Sequence, residues 1–271
     1  MTKIDYIIPT WNSEATLENT LASIERYGSP NEIIIVDRDS SDRTLVIARR
    51  YNCRIIQSNR SLGAARREGA LAAHTELISF VDADVELLES WQNLLQIAFR
   101  GDYKDAGAFG AYYEGQLPNV KKWPLKLDGG NGAFGCIITR RSHVIDCKEL
   151  DKFSSAEDRI FARFLAEKGL KWYIFPVAVL HHQSLSGISY YLRLRWLGAG
   201  LRVEDGFRPG HVKKILGGAI FGIRMNDLDI SYIENWKMRW NYFIGYIRYK
   251  KYYEINRNDI GLQPLLKARK S

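Results

Sequence analysis

Two aspartates, one residue apart, follow a short apolar run in the stretch ISFVDADVEL. The run from Ile78 to Val81 has the length of a buried strand, so Asp82 and Asp84 fall where that strand leaves the core. Carboxylate oxygens are good ligands for hard cations such as Mg²⁺ and Mn²⁺, and a diphosphate would complete the coordination shell. An exposed turn after a strand explains the same two residues, so the pair alone leaves both interpretations open.

Two further pairs of side chains have types that carry acid–base or metal chemistry in proteins. Glu157 and Asp158 stand at the start of a predicted helix, where the helix dipole favours acidic residues in any case. His181 and His182 directly follow a predicted strand. Adjacent residues on a strand point to opposite faces, so the two imidazoles cannot both face one site.

The elements that must position these residues alternate regularly in the first half of the chain. Apolar runs are separated by segments with apolar residues at helical spacing, such as Leu17, Leu21 and Ile24. The predicted strands are Ile4–Ile8, Glu32–Val36, Arg54–Gln57 and Leu77–Val81. This β-α-β-α pattern is typical of a parallel sheet covered by helices.

Polar residues collect where each of these strands ends, in the segments PTWNSE, DRDSSD, SNRSLGAAR and DAD. Ligands of such sheets bind beyond the carboxyl ends of the strands, so one cleft can collect all four segments. After Glu86 the alternation is less regular. The later predicted elements are strands at Ala106–Tyr113, Phe134–Thr139 and Trp172–Val179 and a helix from about Ala156 to Lys168.

Length and composition indicate one sizeable α/β domain with an appendage, because 46% of the 271 residues are hydrophobic. Cys53, Cys136 and Cys147 are odd in number and lack C-x-x-C spacing, which favours free thiols in a reducing compartment. The N-terminal residues lack a signal-peptide pattern, and the longest late apolar run, Ile215–Ile223, is shorter than the roughly 20 residues that span a bilayer. We therefore expect a cytoplasmic protein that does not cross a membrane.

Positive charge is concentrated in the C-terminal part. From Gly187 to Ser271 there are 16 Lys and Arg residues against 7 Asp and Glu, a net charge of +9, whereas the whole chain carries +8. Aromatic and basic residues are interleaved in ENWKMRWNYFIGYIRYKKYYE, a composition expected of helices in a lipid headgroup region. We expect one of two arrangements. The tail either contacts the inner face of an anionic membrane as a peripheral segment, or it forms a solvated helical cap over the α/β domain. Nucleic-acid binding lacks any recognisable motif, so we expect no nucleic-acid partner.

The order of the motifs resembles that of the family-two nucleotide-sugar glycosyltransferases of GT-A fold. The resemblance runs from about Ile4 to His182 and rests on five segments: IIPTWNSEATLENTLASI, IIIVDRDSSDRT, NRSLGAARREGAL, FVDADVEL and SAEDRIFARFLAEKG. It implies a mixed α/β sheet flanked by helices over residues 1–186. The charge and composition of the tail indicate that a helical, basic region follows over residues 187–271. The implied reaction is metal-dependent, inverting transfer of a sugar from a nucleotide-diphosphate sugar to an acceptor hydroxyl or lipid-linked phosphate, with Mn²⁺ or Mg²⁺.

By this resemblance the nucleoside pocket is lined by Pro9, Trp11, Glu14 and Asp37. Carboxylates accept hydrogen bonds from base N–H groups and ribose hydroxyls. Structural interpretations also exist, because Pro9 can end a strand and Glu14 suits the first turn of a helix. Arg38 stands where the family commonly has a second Asp that helps to read uracil, and a cation cannot accept from the uracil N–H. The donor nucleotide stays open between GDP, dTDP and UDP bound through other groups.

The resemblance also assigns the donor phosphates and the metal. Gly63 would let the backbone approach the donor, and Arg66 would face the same cleft, paired with phosphate or with Asp82. Asp82 and Asp84 would hold the metal and the diphosphate. His181 would be a further metal ligand and is favoured over its neighbour.

Catalysis by the same resemblance falls to the acidic pair. Asp158 would take the proton from the acceptor hydroxyl as general base, with Glu157 as the alternative base. The glycine-dense stretch GGNGAFGCIITRRS is expected where the backbone comes close to an acceptor sugar or lipid phosphate.

Two other function classes fit parts of the sequence. A haloacid-dehalogenase-like phosphatase would use Asp82 as nucleophile, but that motif belongs on the leading strand, and three β-α units precede it here. A non-enzymatic, basic membrane-surface binding protein would need only the tail. Binding of a nucleotide sugar in the presence of Mn²⁺ distinguishes a transferase from such a module.

Overall fold

The computed structural model describes residues 3–114, 124–127, 133–182, 187–220 and 232–258. The chain divides into two compact units, Met1–Lys152 with Glu157–Gln183 and Phe153–Ala156 with Ser184–Ser271. The first unit contains a mixed sheet with helices, and the second contains helices. Residues 129–132 of the glycine-dense stretch and residues 221–231 and 259–271 of the basic tail lie outside the described residues.

The described residues of the first unit form nine strands. They are β1 (Ile4–Thr10), β2 (Pro30–Asp37), β3 (Arg54–Gln57), β4 (Leu77–Val81), β5 (Val85–Leu87), β6 (Ala106–Tyr113), β7 (Leu125–Leu127), β8 (Cys136–Arg140) and β9 (Lys171–His181). Their order in the sheet is β3-β2-β1-β4-β8-β6-β9-β5, and β7 pairs with β9. The first four strands in that order are parallel, whereas β8 runs antiparallel to both β4 and β6. The strand direction in the sheet therefore reverses between β4 and β8.

Helices cover this sheet. They are α1 (Leu17–Tyr27), α2 (Thr44–Arg50), α3 (Leu62–Ala72), α4 (Trp91–Arg100), α5 (Arg141–Asp146) and α6 (Glu157–Glu167), with a 3₁₀ turn at Lys148–Lys152. The central strands β1 and β4 are buried almost throughout. A parallel strand that is covered on both faces needs apolar side chains on both faces, so it reads as a continuous apolar run rather than as an alternation. Strand β4 ends at Val81, and Asp82 and Asp84 beyond it are half-buried.

The predicted mixed α/β sheet with flanking helices is confirmed. The strands β3, β4 and β6 have the predicted bounds, and the other predicted strands and the helix α6 differ by at most two residues at either end. The strands β5 and β7 were not predicted, since three residues are too few to show a period of two. The three cysteines are free thiols.

The second unit contains α7 (Gly187–Asp205), α8 (Pro209–Ile220), α9 (Tyr232–Ile247) and α10 (Tyr249–Asn258). Helices α7 and α9 approach closely at two glycines. A Cβ on Gly198 would collide with the carbonyl oxygen of Tyr242, and one on Gly245 would collide with that of Arg195. Across the described ranges, no helix is both long and apolar enough to span a membrane.

Close packing at Gly69 holds α3 against the centre of the sheet. A Cβ at this position would collide with Cγ2 of Ile7 and would lie 3.2 Å from Cγ2 of Val36. Ile7 is fully buried, and its branched side chain has few alternative rotamers. Only glycine therefore allows α3 to lie this close to β1 and β2.

We predict that Gly69→Ala lowers the urea midpoint of unfolding. Overpacking a filled core costs about 1–3 kcal/mol, which exceeds the gain in helix propensity of at most about 1 kcal/mol. Gly210→Ala in α8 is the matched control, because no atom lies within 4 Å of the added Cβ, and it should keep or raise the midpoint. Equal midpoints for the two variants would contradict the close packing at Gly69.

Candidate active site

A buried arginine links two of the predicted acidic residues. Arg66 lies in the second turn of α3, a helix whose N-cap residue Ser61 accepts a hydrogen bond from the Ala64 N–H at 3.1 Å. The Arg66 side chain is only 2% exposed. Its Nη2 lies 2.8 Å from Asp82 Oδ1 and 3.4 Å from Glu157 Oε1. One guanidinium therefore joins the end of β4 to the start of α6.

Two aromatic rings cover the same guanidinium. Arg66 Cζ lies 4.8 Å from the ring centroid of Phe134 and 5.7 Å from that of Phe80. These rings meet edge to face, with centroids 5.0 Å apart. Burial acts to lower the pKa of Arg66, but the charges of Asp82 and Glu157 raise it above its ordinary value. The arginine therefore stays charged in surroundings from which water is excluded.

Gly135 makes room for the Asp82 carboxylate. A Cβ at Gly135 would collide with Oδ2 and Cγ of Asp82, and the Gly135 carbonyl accepts a hydrogen bond from the Asp82 N–H at 3.0 Å. The strand β8 begins at the next residue and runs antiparallel to β4, with Val81 opposite Cys136. In the described part of the glycine-dense stretch, Gly135 thus leaves the space that the Asp82 carboxylate occupies.

The acidic pair at the start of α6 has raised pKa values. Burial raises the pKa of Glu157 to about 7; the guanidinium of Arg66 opposes this rise and the charge of Asp158 adds to it. Burial also raises the pKa of Asp158, although the Arg159 N–H, which donates to Asp158 Oδ1 at 2.8 Å, acts against the rise. The preceding residue, Ala156, has φ of +68°, a conformation that costs energy for a residue with a Cβ. The two carboxyl groups therefore take up protons at a higher pH than exposed carboxyl groups do.

Asp84 contacts a different partner. His181 Nε2 lies 3.3 Å from Asp84 Oδ2, whereas His182 Nε2 lies 2.8 Å from Glu86 Oε2. The sheet explains this arrangement, because β5 runs antiparallel to β9 with Val85 opposite His181. His181 is thus the histidine beside the D-x-D motif.

The residues predicted to hold a divalent cation are Asp82, Asp84 and His181. Within the described residues, no three His, Cys, Asp or Glu side chains form a group that could hold a metal ion by themselves. The protein would therefore supply only part of a coordination shell. This donor set suits a cation that takes its remaining oxygen ligands from a diphosphate and from water.

The residues predicted for the nucleoside lie around the ends of β1 and β2. Asp37 is buried and accepts hydrogen bonds from the Thr10 hydroxyl at 2.9 Å and from the N–H and hydroxyl of Ser40. Its carboxylate therefore ties the two strand ends together. Pro9 and Trp11 are half-buried.

Two other residues that were predicted to contact the nucleotide sugar lie near the N-termini of helices. The exposed Glu14 accepts a hydrogen bond through Oε2 from the Arg43 N–H at 3.0 Å, directly before α2 begins. This carboxylate thus supports the N-terminus of a neighbouring helix. Gly63 is buried in the first turn of α3, one turn before Arg66.

Several residues of this region were not predicted from the sequence. Phe80 and Phe134 cover the guanidinium, and Tyr113 stacks on His181 with ring centroids 4.4 Å apart. Nothing in their spacing separates these aromatic residues from ordinary core residues. The glycine density was a signal for Gly135, but it did not indicate that the neighbour of this glycine is an aspartate.

Comparison with known proteins identifies the family. Residues 5–154, more than half of the chain, match the sequence profile of Glycosyl transferase family 2. A dodecaprenyl-phosphate galacturonate synthase of Rhizobium johnstonii is 25% identical over 97% of this chain and 80% of its own length. A dolichol-phosphate mannosyltransferase of Pyrococcus furiosus is 25% identical over 61% of this chain and 46% of its own length. Two further curated relatives match over only 26% and 16% of their own lengths.

A solved structure gives the same fold. The mannosyltransferase PcManGT of Pyrobaculum calidifontis, in complex with GDP-Man and Mn²⁺, superposes with a TM-score of 0.59 at 16% identity, over 89% of this chain and 73% of its own. The family match includes Arg66, Asp82 and Asp84 and stops before Glu157. The chain belongs to glycosyl transferase family 2 and has the GT-A fold.

Proposed function

We propose that this protein is a metal-dependent, inverting glycosyltransferase that moves a sugar from a nucleotide-diphosphate sugar to a lipid-linked acceptor. The observation that carries this proposal is the contact of one buried guanidinium with both Asp82 and Glu157, at 2.8 and 3.4 Å. It brings the D-x-D motif and the acidic pair into one region beyond the carboxyl end of β4. Ligands of open α/β sheets bind at such ends.

The donor diphosphate would be held through Asp82, Asp84 and a divalent cation, Mn²⁺ or Mg²⁺. His181, 3.3 Å from Asp84, is the candidate third ligand. The chemistry that such a cation supplies when bound is neutralisation of the charge on the leaving diphosphate. The presence of GDP-Man and Mn²⁺ in the structure of PcManGT supports this assignment.

We assign the nucleoside pocket to the loop after β1 and the end of β2, with Pro9, Trp11, Glu14 and Asp37. Asp37 would act mainly by fixing the pocket, because its oxygens already accept hydrogen bonds from Thr10 and Ser40. Gly63 would allow the start of α3 to approach the donor phosphates. The donor base stays open between guanine, thymine and uracil.

Asp158 is the proposed general base. As the acceptor oxygen bonds to the anomeric carbon and the bond to the diphosphate breaks on the opposite face, the proton of an acceptor hydroxyl would pass to Asp158. Glu157 would position this region through Arg66. A phosphate acceptor would be largely ionised at neutral pH, since its second pKa is about 6, and it would need no such base.

A lipid-linked acceptor is supported by two relatives. The galacturonate synthase matches nearly the whole of this chain, and its name specifies dodecaprenyl phosphate. The mannosyltransferase is named for dolichol phosphate. We therefore propose an acceptor carried by a long-chain lipid, with either a sugar hydroxyl or a phosphate oxygen as nucleophile.

Asp84→Asn should abolish the metal-dependent part of donor binding without unfolding the protein, because Asp84 lies outside the core at a strand end. The measurement is the thermal shift produced by GDP, UDP and dTDP with and without Mn²⁺. A nucleotide at 100 times its Kd stabilises the native state by about 2.7 kcal/mol. The exposed Asp102→Asn is the matched control and should keep the full shift. A normal Mn²⁺-dependent shift in Asp84→Asn would contradict the metal assignment.

Asp158→Asn should keep donor binding and lower kcat for a hydroxyl acceptor by roughly 10²–10⁴-fold, the usual contribution of a positioned base. Because burial raises the pKa of Asp158, the wild-type rate should fall with decreasing pH at values above the ordinary aspartate pKa of about 3.9. This acidic limb should disappear in the variant. Near-normal turnover of a hydroxyl acceptor with the limb intact would show that Asp158 is not the base.

A further inference from the structure

Apart from Lys237, the exposed side chains of α9 are hydrophobic. Its exposed hydrophobic residues, which are 42–66% exposed, are Tyr232, Ile233, Trp236, Trp240 and Ile247. The rings of Trp236 and Trp240 stack with centroids 5.7 Å apart, and Phe243 packs against Trp240 at 5.5 Å. Spacings of three and four residues place Ile233, Trp236, Trp240, Phe243 and Ile247 on one face, which we call the aromatic stripe.

The opposite side of α9 contains buried polar residues. Asn241 accepts a hydrogen bond from Arg195 Nε at 2.7 Å, and Arg239 Nη1 donates to the Lys214 carbonyl at 3.4 Å. Asn235 is buried beside Arg239, whose Nε donates to Asn235 Oδ1 at 3.4 Å. The same side also buries Met238 and Tyr246, so α9 carries apolar residues on both sides, whereas a usual surface helix exposes a polar face.

The rotation of α9 about its own axis is fixed by these contacts. Gly245 lies so close to the Arg195 carbonyl that no side chain would fit between the two helices. Turning the aromatic stripe inward would expose this glycine contact and would break the buried hydrogen bonds of Arg239 and Asn241. The stripe is therefore held outward, and an apolar surface of this kind usually marks an interaction site.

The exposed charges of the second unit indicate the kind of partner. Among the side chains described in the second unit, every exposed charged residue is a cation: Arg208, Lys213, Lys214, Lys237, Arg248, Lys250 and Lys251. The carboxylates of Glu204, Asp205 and Glu234 are half-buried. Four of these cations, Lys237, Arg248, Lys250 and Lys251, lie on α9 or shortly after it. Pairing two copies through α9 would bring these like charges together, whereas an anionic surface would attract them.

We infer that the aromatic stripe docks the protein on an anionic phospholipid membrane, with α9 in the plane of the headgroups. Trp and Tyr favour the membrane–water interface, and Lys and Arg near it gain from the surface potential of anionic lipids. The partner chemistry is thus an apolar layer beneath a negatively charged layer. Docking needs only the surface of the second unit, so it stands or falls independently of sugar transfer.

Sedimentation of the full chain with vesicles tests this inference. The probes are vesicles of phosphatidylglycerol with phosphatidylcholine, and of phosphatidylcholine alone, each at low and high salt. The wild type should sediment with the anionic vesicles at low salt and less with either change. Trp236→Ser/Trp240→Ser should weaken binding by at least roughly ten-fold. Each tryptophan that moves from water into the membrane contributes about that factor or more. The control Val46→Ser/Leu71→Ser also removes two exposed apolar residues, but from the first unit, and should bind like the wild type.

A second variant guards against misfolding of the tryptophan variant. Arg248→Gln/Lys250→Gln/Lys251→Gln changes only exposed charges and should weaken binding to anionic vesicles while keeping the unfolding midpoint. Wild-type protein that stays in the supernatant at low salt overturns the inference. So does a dimer that the tryptophan substitutions dissociate while vesicle binding is absent, since that result assigns the stripe to a second copy. Retention of the nucleotide-dependent thermal shift by both variants would show that donor binding does not depend on docking.

Discussion

A guanidinium that is removed from water requires carboxylate partners, and in this protein that requirement is concentrated at Arg66. An unpaired charge in such a position costs several kcal/mol. These partners, Asp82 and Glu157, come from the end of β4 and the start of α6. The glycine at position 135 and the rings of Phe80 and Phe134 complete the enclosure. The ion pair thus fixes the relation between three segments that are far apart in the sequence.

This arrangement explains why the acidic residues have different properties. Asp82 has a close cationic partner, whereas Glu157 shares that cation at a longer distance and is more buried, so burial raises its pKa to about 7. Glu157 therefore takes up a proton at a higher pH than an exposed carboxyl group does. In the proposed reaction, the acidic pair would supply the group that accepts the proton of an acceptor hydroxyl.

Much of the fold could be predicted from the sequence. Fully buried parallel strands appear in it as continuous apolar runs, and the ends of these strands appear as polar segments. The positions of Asp82 and Asp84 after β4 followed from that pattern. Side-chain partners could not be predicted in the same way. The pairing of Asp84 with His181 depends on the three-residue strand β5, which is too short to show a periodicity. The burial of Arg66 depends on contacts across the sheet, and neither periodicity nor charge count reveals a buried cation. The nucleoside contacts of Pro9, Trp11 and Glu14 stay predictions.

The most direct test is a double-mutant cycle between Arg66 and Glu157, measured as free energies of unfolding in urea at pH 8, above the pKa of Glu157. Arg66→Met alone should cost about 3–5 kcal/mol, because it leaves the buried Glu157 and the half-buried Asp82 without a cation. In the Glu157→Gln background the same change should cost less, by at least about 1 kcal/mol, because one of those charges has been removed. If the two substitutions are instead additive, the guanidinium does not couple the D-x-D motif to the acidic pair.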